Sequence, residues 1–281
     1  MPTNRANKVK FGLKNVHYAL LTTAEDGSVS FATPVRIPGA VNLSMEAQGE
    51  PSSFYADDMA YYVTTANDGY KGDLEIALIP DSFRKDVLND SEDETDKILM
   101  ENVSAESKPF ALLFEFGGDQ KAVRHVLYNC SATRPGLTSA TTTNTKEPST
   151  ETVTLTASPL SNGYVKAKTT PDTPEARYNG WYQQVWQPLP KLEVTSQAGQ
   201  TLGQTKLSVT PAKAGANSYK YQTGASVSMP AYDADCSSGY TDWDGSEEVA
   251  AENGHQIVVV ETTAEGKARA GGMATVTAKT E

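Results

Sequence analysis

The sequence is short of the residues that most often carry chemistry. Among 281 residues there are three histidines and two cysteines. His17, His125 and His255 are dispersed, each in or beside a strand-like run, and no spacing assembles them into a triad. Cys130 and Cys236 lie far apart, with neither a C-x-x-C nor a metal-ligand spacing. They read as unpaired thiols of a reducing compartment. Also missing are G-x-S-x-G, a P-loop, H-E-x-x-H and G-x-G-x-x-G, so no cofactor and no metal is expected. Positive charge is scarce: 24 Lys and Arg stand against 35 Asp and Glu, a net charge of −11. That balance argues against a protein that grips nucleic acid through basic stripes. The longest apolar runs, such as Ile257 to Val260, are far too short for a membrane span. The first residues, MPTNRANKVKFGLKN, hold no apolar h-region, so no secretory signal is expected and the product is expected to be made in the cytoplasm.

What the chain does have is β-pattern. The most ordered stretch runs from Pro109 to Arg134. An apolar run, Phe110 to Phe116, meets a Gly117-Gly118-Asp119 turn and then a second strand, Ala122 to Cys130. The first arm is too uniformly apolar for one wet face and should be covered on both sides or lie near a subunit boundary. Arg124 and His125 on the second arm should point to opposite faces.

Earlier in the chain, strands are expected at Val16 to Thr22 and Ser28 to Val35, around a turn at Glu25-Asp26-Gly27. The segment from Asn42 to Asp73 lacks clean periodicity and reads as a long connection, which is unusual inside a domain unless it is functional. Its aromatics, Phe54, Tyr55, Tyr61 and Tyr62, suggest docking onto something, although self-packing explains them nearly as well. Asp73 to Pro80 alternates as a strand. Asp81 to Leu88 is the strong helix signal of the first half, with Asp81 or Ser82 as cap and Phe83 and Val87 on one face. Ser91 to Asp96 reads as an acidic loop, Thr138 to Thr150 as a Thr-rich one, and Thr152 to Ala157 and Val165 to Lys168 as strands.

Pro188-Leu189-Pro190 marks an expected boundary, giving domains 1–190 and 191–281. The second part reads as a small sandwich, with strands at 192–196, 206–210, 218–222, 246–250, 256–263 and 273–278. Its polar constellation runs from Ala231 to Glu248. Asp233-x-Asp235-x-Ser237 begins like a calcium loop, but Gly239 comes one place late and position twelve is Asp244, so an acidic solvated loop is expected. Tyr232, Tyr240 and Trp243 in that loop could stack on a sugar, or simply pack.

Five stretches carry a family resemblance: Gly12 to Ala19, Ile37 to Val41, Phe54 to Asp58, Gly69 to Glu75 and Phe110 to Phe116. Their order and spacing over residues 10 to 190 resemble the major tail protein family of long-tailed, non-contractile bacteriophages. The C-terminal part resembles the immunoglobulin-like domains often appended to such proteins. The resemblance implies a mainly β fold: a tail-tube β-sandwich or barrel with one flanking helix, followed by a small immunoglobulin-like sandwich. It implies a non-enzymatic virion protein whose copies form hexameric rings, stacked into a conduit through which DNA passes without specific binding. Implied partners are further copies of the chain, a tape measure protein and tail terminator or initiator proteins. Phe11, Phe54, Tyr55, Tyr61, Tyr62 and Tyr70 are the expected subunit contacts, and Tyr232, Tyr240 and Trp243 the expected glycan-facing loop on a domain that decorates the tube. Removing Asn42 to Asp73 should leave a soluble monomer that forms no tubes. The competing reading is an adhesin-like β-protein that binds carbohydrate. An enzyme would need a carboxylate pair, for which only Glu115 and Asp119 offer themselves, and hairpin polarity explains both better.

Overall fold

The computed structural model describes residues 6–24, 29–139, 141 and 148–281, so the expected turn at residues 25–27 and most of the Thr-rich loop lie outside the described residues. The chain divides into two compact units, Met1–Val185 and Trp186–Glu281. The first unit opens with β1 (Lys10–Thr23), β2 (Val29–Phe31), β3 (Val35–Arg36), β4 (Ala40–Gln48), β5 (Pro51–Ala56), β6 (Met59–Thr65) and β7 (Gly69–Ile76). Helix α1 (Asp81–Asp86) follows, then β8 (Ser91–Glu92) and β9 (Leu99–Met100). The unit ends with β10 (Phe110–Gly118), β11 (Val123–Ala132), β12 (Glu151–Ser158), β13 (Lys166–Lys168) and α2 (Glu175–Asn179). The main sheet has the order β2-β1-β10-β11-β12-β7-β4, with β3 beside β1 and β13 beside β11.

The apolar run of β10 is explained by burial on both faces. Phe110, Leu112 and Phe114 join a core with Tyr18, Leu74, Ile76, Phe83, Val153 and Leu155. Ala111 and Leu113 enter a second core with Leu21, Val126, Tyr128, Trp181 and Val185. Helix α1 closes the first: the Phe83 ring stands edge-on to Tyr18 at 5.3 Å and to Phe110 at 5.7 Å. The second is closed by the segment after α2, where Trp181 Nε1 donates to the His125 carbonyl at 3.3 Å. Burying Phe110, Leu112 and Leu113 completely stabilises the unit by about 1.5–3 kcal/mol each.

Three expectations change in the first unit. Asn42 to Asp73 is not a loop: β4 and β7 pair along their length inside the main sheet, with Leu43 opposite Leu74, and only β5 and β6 stand apart. Alternation is weak there because Gly72 interrupts β7; a Cβ on it would lie 1.8 Å from the Ser44 carbonyl oxygen. Deleting Asn42 to Asp73 would therefore remove two core strands, so it cannot test assembly. Helix α1 is capped by Pro80, extended at φ −64°, and not by a side chain of Asp81 or Ser82. Asp81 instead sits in the first turn, where a negative charge complements the helix dipole. The second helix, α2, is short and begins after Pro174, which leaves too few residues for a periodic signal.

The second unit is a two-sheet sandwich. Its strands are β14 (Glu193–Ala198), β15 (Gln204–Thr210), β16 (Ser218–Gly224), β17 (Thr241–Trp243), β18 (Val249–Ala250), β19 (Gln256–Thr262) and β20 (Ala268–Thr275). One sheet has the order β14-β15-β18 and the other β17-β16-β19-β20. β19 repeats the logic of β10. Ile257 and Val259 face the sandwich core, while Val258 and Val260 pack beside Cys236 and Ala268 under the long β16–β17 connection.

Candidate assembly surface

β5 and β6 form a hairpin that no part of the described chain covers. Phe54, Tyr55, Met59, Tyr61, Tyr62 and Val63 are between 56% and 73% exposed. Phe54 sits opposite Tyr62 and Tyr55 opposite Ala60. Asp57 and Asp58 turn the chain with φ of 49° and 57°, both left-handed, as a two-residue primed turn requires. The hairpin continues the β4–β7 ladder, since the Asp68 amide donates to the Gln48 carbonyl at 3.0 Å. Gly69 fixes its base: at φ 108° a Cβ would lie 1.9 Å from the Ala157 carbonyl oxygen. An isolated two-stranded ribbon is at best marginal in water, and a concentration of exposed aromatics marks a contact surface.

The structure gathers four of the expected contact residues, Phe54, Tyr55, Tyr61 and Tyr62, on this hairpin. Met59 and Val63 join them; weak alternation hid both. Tyr70 is different. It is half-buried against the core, and Lys166 Nζ lies 4.3 Å from its ring centre. Phe11 is 60% exposed but lies elsewhere, on β1.

Phe11 belongs to a seam. Among the described residues β4 pairs only with β7, and residues 10–14 of β1 pair only with β10, so each presents an edge that no described strand covers. Between them lies a cleft of about 270 Å³, lined by Lys10, Phe11, Gly12, Leu13, Val41, Asn42, Leu43 and Phe116. The Lys10 ammonium stands 5.1 Å from the Phe116 ring centre.

A third surface is wholly polar. Along β4, β7 and β12, Leu43, Met45, Leu74, Ile76, Val153 and Leu155 turn inward. Alternation sends Ser44, Glu46, Gln48, Lys71, Asp73, Glu75, Thr152, Thr154 and Thr156 outward. Thr154 Oγ1 donates to Asp73 at 2.7 Å, and Thr150 Oγ1 to Glu75 at 2.7 Å. Three carboxylates against one lysine leave this face acidic.

The titratable groups are used structurally. Glu115 is buried and accepts from Asn15 Nδ2 at 2.9 Å, Arg124 Nε at 3.2 Å and Tyr182 Oη at 3.2 Å. Asp119 is at the exposed turn, accepting the Lys8 amide at 2.8 Å. The two carboxylates thus belong to separate networks. Arg124 and His125 do face opposite sides: Arg124 stacks over Tyr178 at 3.8 Å, and His125 lies flat on Phe114 at 5.2 Å. Burial, aided by Lys168, Lys166 and Lys10, pushes the His125 pKa down to about 4. His17, stacked on Tyr182 at 4.5 Å, is also lowered by burial.

In the second unit Trp243 is a core residue, 7% exposed, with its ring 5.6 Å from Tyr219 and its Nε1 donating to the Glu247 carbonyl at 2.8 Å. That removes it from any sugar-stacking face. Tyr232 and Tyr240 remain partly exposed. The acidic side chains of the loop are engaged: Asp233 pairs with Arg269 at 2.7 Å, and Asp244 caps the Ser246 and Glu247 amides at 2.8 Å each. Among the described residues no His, Cys, Asp and Glu cluster is able to hold a metal ion.

Comparison with known proteins gives two family matches. The family described as phage tail tube protein matches residues 2–197, and the S-layer protein SbsC C-terminal domain matches residues 197–279. No curated protein matches the chain. Among solved structures, the crystal structure of domains 7, 8 and 9 of the S-layer protein SbsC aligns with 97% of this chain and 72% of its own. Its identity is 13% and its TM-score 0.28, too low to carry any argument.

Proposed function

The chain belongs to the phage tail tube protein family, and from that premise we propose that its copies close into hexameric rings that stack into the tail tube. It is a structural component of the virion tail and not an enzyme. The observation that carries the ring-and-stack reading is the β5–β6 hairpin, whose aromatics are exposed on both faces in the isolated chain. A contact that buries roughly 2,000 Å² or more with each neighbour has the size of an obligate assembly. The acidic face of β4, β7 and β12 is the surface best suited to the lumen. It has no apolar side chain to offer a neighbour, and its carboxylates repel phosphates, so DNA slides through unbound during ejection. A tape measure protein and tail terminator or initiator proteins are the further partners that the family resemblance implies. The second unit decorates the tube exterior, and of the expected glycan-facing loop Tyr240 and Tyr232, the latter with the Arg269 guanidinium 5.0 Å from its ring centre, stay partly exposed. The adhesin alternative is weakened by the burial of Trp243.

The test keeps the fold and removes the hairpin. Replacing residues 50–67 by an Asn-Gly turn retains β4 and β7. The variant should be a folded monomer by sedimentation and show no tubes in negative stain, whereas the parent chain forms them. Normal tubes from the shortened protein would overturn the role of the hairpin. A chain ending at Pro190 should still form tubes; their loss would place the second unit within the wall.

A further inference from the structure

We propose that the β5–β6 hairpin of one copy docks into the β1–β4 seam of the next, its Phe54–Tyr62 face covering the cleft and its acidic tip meeting the lysines of β1. The inference rests on the tube reading and names the surface that receives the hairpin.

Charge singles out the pair. From residue 49 to residue 68 the chain carries Glu50, Asp57, Asp58 and Asp68 and no lysine or arginine. From residue 6 to residue 23 it carries Lys8, Lys10 and Lys14 and no acid. Two acids lie beside the arm: Asp119 accepts the Lys8 and Val9 amides, and Glu115, opposite Lys14 in the β1–β10 ladder, is engaged by Asn15, Arg124 and Tyr182. Among the described residues Lys8, Lys10 and Lys14 form no ion pair. In a chain of net charge −11, a cationic edge beside an apolar cleft is the natural counterpart of an acidic aromatic hairpin.

Shape agrees. A cleft of about 270 Å³ lies below the span of about 300–1,000 Å³ typical of small-molecule sites, and is of a size for large side chains. Its walls, Phe11, Leu13, Val41, Leu43 and Phe116, are apolar. Lys10 already lies near one aromatic ring and can serve a second, incoming ring in the same way. Aromatic anchors seated in such pockets dominate interface energetics.

Geometry makes the contact intermolecular. The seam takes Val41 to Leu43, at the start of β4, whereas the hairpin leaves β4 beyond Gln48, at its other end. Asn42 and Phe54 are twelve residues apart, about 40 Å of extended strand at about 3.3 Å per residue. Donor and acceptor at opposite ends of one strand define a head-to-tail junction, which propagates where a self-complementary one would stop at a dimer.

Two experiments on the full chain test this. The first places cysteines at two exposed positions beside the apolar contact, Thr64→Cys and Asn42→Cys, in a protein whose native Cys130 and Cys236 are buried. Oxidation of the assembled double variant should give a ladder of disulfide-linked oligomers, whereas each single variant should give none. Tubes without a ladder would overturn the docking while leaving the tube reading intact; a parent chain that never forms rings or tubes would overturn the tube reading itself. The second experiment does not require tubes. A hairpin-blind chain, Phe54→Ser with Tyr62→Ser, is mixed with a seam-blind chain, Phe11→Glu with Val41→Glu. Neither should associate alone, and the mixture should stop at heterodimers, because one intact hairpin and one intact seam remain. Absence of heterodimers at concentrations where the parent assembles would also overturn the proposal.

Discussion

Two hairpins of this chain are comparably rich in aromatic and aliphatic residues and meet opposite fates. In β10 and β11, Phe110, Leu112, Leu113 and Val126 are fully buried. In β5 and β6, every residue except Ala56 is exposed, Phe54 and Tyr61 included. Both strands of the second hairpin place aromatics in consecutive positions, Phe54-Tyr55 and Tyr61-Tyr62, and so present rings on both faces. β10 does the same with its apolar run, but lies between β1 and β11 and is roofed on one side by α1 and on the other by Trp181 and Val185. A two-sided apolar ribbon needs two covers. The described residues supply both for β10 and neither for β5 and β6; in the proposed tube, other copies provide them.

The comparison breaks most sharply at β10. Leu112→Ala should destabilise the first unit by about 2–5 kcal/mol, measured by chemical denaturation of the full chain. Next is Glu115→Ala, which strands Arg124 without its carboxylate in a mostly buried site and should lower stability by about 1–3 kcal/mol; Glu115→Gln should recover part of it. Gly69→Ala probes the junction between the two behaviours. Its Cβ would lie 1.9 Å from the Ala157 carbonyl oxygen, so the β7–β12 ladder must shift, at about 1–3 kcal/mol.

A pH titration sharpens the same contrast. His125 has a folded pKa of about 4 against an ordinary imidazole value of 6.5, so between those values the unfolded chain binds the extra proton. The neutral imidazole's contribution to stability is therefore fully present above pH 6.5 and is lost as pH falls towards 4. His125→Phe should flatten the stability profile across that window, read from urea midpoints. His17, lowered in the same direction by burial, keeps part of the slope.

How much of this was legible follows the same line. The strands whose covers lie within the chain wrote clear patterns: the run of β10, the alternation of β12, and α1 with Phe83 and Val87 inward. β4 and the first half of β7 were lost in an apparent loop because Gly72, needed for close strand approach, and the polar outer face diluted their periodicity; the rest of β7 was legible as the start of the strand expected from Asp73. Phe54, Tyr55, Tyr61 and Tyr62 stood out as aromatics without a pattern. Trp243 misled for the opposite reason, since an acidic loop surrounds in sequence a ring that the fold turns into the core. Its neighbour across the sheet, Tyr219, is a strand away in sequence and invisible to local reading.

The smallest effect on the fold should come from the residues with the largest effect on assembly. Phe54→Ser together with Tyr62→Ser removes two rings that touch nothing decisive in the isolated chain, being each 62% exposed. Substitutions of that kind typically change stability by no more than about 0.5 kcal/mol. The double variant should thus match the parent in its urea midpoint and circular dichroism, yet yield no tubes in negative stain. A shift in midpoint comparable to that of Leu112→Ala would mean that the hairpin is packed against its own chain, and the contrast between the two ribbons would collapse. An unchanged midpoint with tubes intact would leave the contrast standing but move the contact to other residues. Only the combination of an unchanged fold and lost tubes assigns the exposed rings to neighbouring copies.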